Sequence, residues 1–222
     1  APFVLGFLLC LFLVAVPVMV AEVVVGSHGR ASPMAAIQWA SDRSLLSRVW
    51  VLVGLLACLT GLLILSYYCV VAGWALAYAN FMQEGQFSSA SAALVGQHFD
   101  DFLADPRVQI YWQTLFLLLT FTFVCAGVRR GLGMLVWFAV SALMALLGVL
   151  IKFGMDNGDL AAAGEFLFSV KLVDFTPESV LVALGHALFT LGVGVGTGIS
   201  YGAYAPDRIP IGRSVLAVAV FD

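Results

Sequence analysis

An all-α polytopic membrane protein is the fold class that this sequence predicts, on three observations: its composition, the length of its apolar runs and the placement of its charges. Over 222 residues, 62% are hydrophobic and only 10% charged, with a mean hydropathy of +1.05. Those values lie outside the range of a water-soluble domain, so lipid is the solvent for most of the chain. About 20 apolar residues suffice to cross a hydrocarbon core of roughly 30 Å. Five stretches qualify, at 2–25, 49–82, 108–128, 132–151 and 180–205, and a sixth opens at 214–222, all within one transmembrane domain.

The first span starts at once, without the basic flank and cleavage site of a signal peptide, and carries Glu22 near its far end. After it, Met34, Ala35, Ile37 and Trp39 are interrupted by polar residues, which suits a short helix lying on the membrane surface. The second span, at 49–82, is too long for one upright crossing and is expected to tilt or to project from the bilayer. Two long connections, before 108 and before 180, mix polar with apolar residues and read as folded caps. The fifth span has a well-marked start: Thr176 supplies a capping hydroxyl, Pro177 a first-turn proline and Glu178 an acid near the positive dipole end.

Charge fixes an expected orientation, because Lys and Arg accumulate in cytoplasmic loops. The first connection carries Arg30, Arg43 and Arg48, the third Arg129 and Arg130, and the fifth Arg208 and Arg213, together seven of the ten basic residues. The second connection holds Glu84, Asp100, Asp101 and Asp105 with Arg107, and the fourth holds Asp156, Asp159, Glu165, Asp174 and Glu178 with Lys152 and Lys171. Those two are expected outside. The first span then runs inward, which implies at least one crossing ahead of Ala1, and the apolar run ending at Asp222 reads as cut short, so the chain is expected to be an internal fragment.

Within the fifth span, four glycines fall among the seven residues 192–198, alternating with β-branched neighbours. Such a run makes a poor helix interior, so the helix is predicted to break near Gly192. A break at membrane depth strands carbonyls and amides unless it lines a polar cavity, and transporters use such breaks as ion and solute sites. Small residues that merely let helices pack closely are the competing explanation. Glu22, Tyr67, Tyr68, His186, Thr190 and Asp222 are further polar groups at depth. Glu22 is either a functional carboxylate or a hydrogen-bonding partner of helix ends.

Several classes are excluded. A net charge of −3 with scattered basic residues leaves no surface for nucleic acid. Cys10, Cys58, Cys69 and Cys125 lack metal-ligand spacing and read as small buried hydrophobes. No nucleophile with an adjacent base and no phosphate-binding loop is present, so the chain does not read as an enzyme. A channel or structural membrane subunit is the alternative to a transporter.

The residues resemble the neurotransmitter:sodium symporter family, in its bacterial amino-acid branch. Val16, Pro17, Val18, Met19 and Glu22, followed by Gly26 and Gly29, are similar to the GIPLM-type run of the family's second helix. Ser66, Tyr67, Tyr68, Gly73 and Trp74 are similar to its third helix. The run Ala183, Leu184, Gly185, His186, Ala187, Leu188, Phe189, Thr190, Leu191 and Gly192, with Tyr201 and Tyr204, is similar to its unwound sixth helix.

The resemblance implies a partial inverted-repeat transporter fold, running from the second helix to the start of the seventh. It implies sodium-coupled symport of an amino acid or related small solute by alternating access, across the cell inner (plasma) membrane, with sodium as coupling ion and no other cofactor. Tyr68 would bind the substrate carboxylate, Phe189 would close the site from outside, and Ile64, Gly192 and Val195 would line the side-chain pocket. Thr190 and Asp222 would be sodium ligands, oxygen donors that a hard cation prefers. Gly192 stands where the family often has Ser, and Val195 where Phe or Met is common, which points to a wider pocket and a bulky apolar substrate. His186 replaces a frequent Gln. The isolated fragment is expected to be inactive.

Overall fold

The computed structural model describes residues 2–44, 47–88, 91–127, 131–168, 176–206 and 208–222. No strand occurs among them. The helices are α1 (Pro2–Cys10), α2 (Val16–Gly29), α3 (Pro33–Arg43), α4 (Val51–Gln83), α5 (Ala92–Ala104), α6 (Pro106–Cys125), α7 (Gly133–Asn157), α8 (Leu160–Phe168), α9 (Pro177–Thr190), α10 (Thr197–Tyr204) and α11 (Ile211–Phe221). Among the described residues, Pro2–Gly29, Arg48–Gln83, Pro106–Cys125 and Gly133–Asn157 are long and apolar enough to cross a membrane. The chain is an all-α polytopic membrane protein. The apolar stretch at 180–205 is divided between α9 and α10, neither long enough to cross by itself.

Local chemistry sets the helix boundaries. Asp105 Oδ1 accepts the Arg107 and Val108 amides, and Pro106 follows as the first helical residue, so α6 starts ahead of position 108. Thr176 and Ser179 form a reciprocal capping box at the start of α9. Helix α7 runs past Ile151, so Lys152 and Asp156, expected from sequence in a loop, are helical; a charge does not end a helix whose last turns can reach the membrane surface. The surface segment after α2 holds α3, and the second connection holds α5. Val128, Arg129, Arg130, Lys171 and Asp174 lie outside the described residues. The cysteines correct another expectation: only Cys69 is buried, while Cys58 and Cys125 are exposed, since lipid accepts a thiol as readily as a packed interior does.

The chain divides into two compact units, residues 1–62 with 159–222, and residues 63–158. In the first, Leu11, Ala15, Ala187, Leu191 and Ala219 are buried together, with Phe7, Leu188 and Val193 packed around them. The alanines let α9 and α11 approach the first span closely, which is how helices associate where lipid removes the hydrophobic drive. Between α1 and α2 the chain makes a π-helical turn, Leu11–Ala15. Pro17 follows it, and because proline has no amide, the Leu13 carbonyl loses its usual donor at that turn.

In the second unit, Trp74, Tyr78 and Phe81 of α4 meet Phe99 and Phe102 of α5 and Trp112 of α6, mostly edge to face. Trp74 Nε1 donates to Gln109 Oε1 at 3.3 Å, and Gln109 Nε2 donates to the Leu103 carbonyl at 2.7 Å. These contacts order the polar connection that follows α4. Helix α7 is apolar and exposed along its length, the pattern of a lipid-facing surface.

Candidate functional site

The glycine run ends one helix and starts another. Gly192 has φ +63°, Gly194 +85° and Gly196 +73°, so every second residue is left-handed. Val193 and Val195, whose branched side chains would be strained there, occupy the intervening places. At the end of α9 the Val193 amide donates to the Leu188 carbonyl at 2.9 Å and the Gly192 amide to the Phe189 carbonyl at 3.0 Å. That paired pattern with glycine just beyond the cap is a Schellman motif, and Leu188 and Val193 pack on the same core cluster beside it. Helix α10 then restarts at Thr197.

Two side chains hold the open segment. The Gly194 amide donates to Glu22 Oε1 at 2.7 Å, and the Thr197 hydroxyl donates to the Gly192 carbonyl at 2.6 Å. Glu22 Oε2 is buried beside the Gly198 backbone and completes no well-formed hydrogen bond among the described residues. The carbonyls of Leu191, Val193, Gly194 and Val195 accept no backbone hydrogen bond among the described residues. Main-chain oxygens are thus available in the middle of an apolar span, where each would otherwise be costly to leave unpaired.

Gly26, Gly198 and Gly202 serve packing. A Cβ on Gly198 would lie 2.8 Å from Glu22 Cβ and Oε2 and 2.9 Å from Met19 Sδ, and one on Gly202 would strike the Val23 carbonyl. One on Gly26 would strike the Ile199 carbonyl. A break in the helix and close packing are thus both present, at different glycines: 192, 194 and 196 shape the opening, while 26, 198 and 202 bring α2 and α10 together.

Beside the opening lies a cavity of about 540 Å³, lined mainly by apolar side chains of α2, α9, α10 and α11. Phe189, Thr190 and Gly192 line it, joined by the hydroxyl-bearing Thr197, Tyr201 and Ser214. Val195 is half-buried and lies outside that lining; its carbonyl faces the backbone at Gly61. Asp222 is the exposed C-cap of α11 and also stands apart from the lining. Ile64 and Tyr68 belong to α4 in the other unit, Ile64 half-buried and Tyr68 exposed, with the Tyr67 and Tyr68 rings edge to face. The structure thus gathers Phe189, Thr190 and Gly192 around one cavity.

Thr197, Tyr201 and Ser214 were not singled out from sequence as site residues. The signal for Thr197 was its place inside the glycine run; Ser214 carries none. Oxygen donors of this kind, hydroxyls and carbonyls, suit a hard cation better than a soft transition metal. Among the described residues no cluster of three His, Cys, Asp or Glu side chains is present that could hold a metal ion.

No family model matches the sequence. The chain is 30% identical over 220 residues to the uncharacterized sodium-dependent transporter YhdH of Bacillus subtilis, a match covering 99% of this chain and 48% of that protein. It is 26% identical over 215 residues to an uncharacterized sodium-dependent transporter of Haemophilus influenzae, covering 91% of this chain and 46% of that protein. The chain spans about half the length of these relatives.

Proposed function

We propose that this chain is the part of a sodium-coupled symporter that holds its ion and solute at a broken helix, working by alternating access in the cell's plasma membrane. The observation that carries the proposal is the interruption between Thr190 and Thr197, which opens the backbone within an apolar span and whose Leu191 and Gly192 line a cavity. Similarity to two proteins named as sodium-dependent transporters supports the choice of ion.

In this reading Thr190 and Asp222 give oxygen ligands to sodium. Tyr68 binds the substrate carboxylate, Phe189 closes the site, and Ile64, Gly192 and Val195 bound the side-chain pocket. The substrate is an amino acid or related small solute. With glycine and valine where bulkier groups could stand, it is one with a large apolar side chain. Sodium binding and solute binding are coupled because both draw on the same open segment, so each raises the affinity for the other.

Uptake of amino acids by the full-length protein in proteoliposomes, with and without a sodium gradient, tests this. Sodium-driven accumulation, reduced at least about tenfold by Thr190→Val or Asp222→Ala through loss of a charged or polar ligand, is the expected result. Flux that ignores sodium would instead favour a channel.

A further inference from the structure

Arg30 stands out twice. It is the one described non-glycine residue with positive φ, at +48°, and its guanidinium reaches across the fold to α10. Nη1 donates to the Ala203 carbonyl at 3.3 Å and to the Ala205 carbonyl, the carbonyls at the C-terminal end of that helix. Side chains seldom adopt the left-handed region, which glycine enters freely. A glycine is next door, yet Gly29 is required elsewhere, since a Cβ on it would lie 2.6 Å from Ala36 Cβ, where α3 crosses. Arg30 therefore takes the strained cap position, its amide bonded to the Gly26 carbonyl at 2.9 Å, and from it the side chain points at α10.

The other end of the same pair of helices is pinned by Glu22, which receives the Gly194 amide ahead of α10. Acid near the positive end and guanidinium at the negative end both match the dipole of α10. We propose that Arg30 is a positioning residue for the broken helix, clamping its second half, α10, to α2. The clamp stands on geometry alone; its part in the transport cycle rests on the symport reading above.

Amide hydrogen exchange of the full-length protein in nanodiscs tests the clamp. Arg30→Gln is expected to speed exchange across residues 197–205 by about tenfold, as loss of a charge-assisted bond to a helix end implies, while residues 177–190 keep their rates. Arg30→Gly is the deciding variant, since it relieves the backbone while removing the guanidinium: it should behave like Arg30→Gln, with Arg30→Lys in between. Wild-type exchange in Arg30→Gln or Arg30→Gly, or an increase spread evenly over every helix, would overturn the proposal. Where uptake is measurable, the same variants should lower the maximal rate and leave the half-saturating substrate concentration in place. A wild-type protein without sodium-driven uptake would end the symport reading, and the exchange pattern would still decide the clamp.

Discussion

Gly192 shows how one residue can be required for two reasons. Its φ of +63° excludes ordinary side chains, and a Cβ on it would sit 3.2 Å from Thr197 Oγ1, the atom that bonds the Gly192 carbonyl. Gly192→Ala is expected to destabilise the full-length protein by about 1–2 kcal/mol from backbone strain, measurable as a lowered thermal midpoint in detergent. The break itself was legible in the sequence because glycines leave so plain a mark. The hydrogen bonds that hold it were not: an acid at position 22 and an amide at 194 are joined only by folding, and nothing in the local pattern of either announces the other.

At the scale of elements, α2 and α10 are matched by missing side chains. Gly26 and Gly202 each let a backbone carbonyl of the opposite helix come within contact distance, and such fits resist added volume. Gly202→Ala should therefore cost about 1–3 kcal/mol by overpacking, seen as faster thermal inactivation of the full-length protein, with no change in the helices of the second unit by hydrogen exchange. Helix starts were readable in advance, as at Thr176 with Pro177, since caps are local. Ends were less so. Helix α7 carries Lys152 and Asp156 without stopping, because whether a charged turn stays helical depends on where the bilayer surface lies, which sequence does not state.

For the whole molecule, the alternation of basic and acidic connections makes a checkable statement about sidedness. In a full-length protein with its native cysteines replaced, Ser88→Cys should react with a membrane-impermeant maleimide on intact cells, and Ser44→Cys only after permeabilisation. The reverse pattern would invert the assigned orientation. The four long apolar helices were evident from composition. The division of α4 between two compact units was not, since a continuous apolar helix shows no boundary in its residues. One feature of the first span acts on all that follows it. The wide turn at Leu11–Ala15 places an extra residue in the winding, and a residue removed there would rotate everything below by about 100°. Glu22, Gly26 and Arg30 would swing off α10 together. That single loop of slack sets the compass bearing of the acid, the notch and the guanidinium at once.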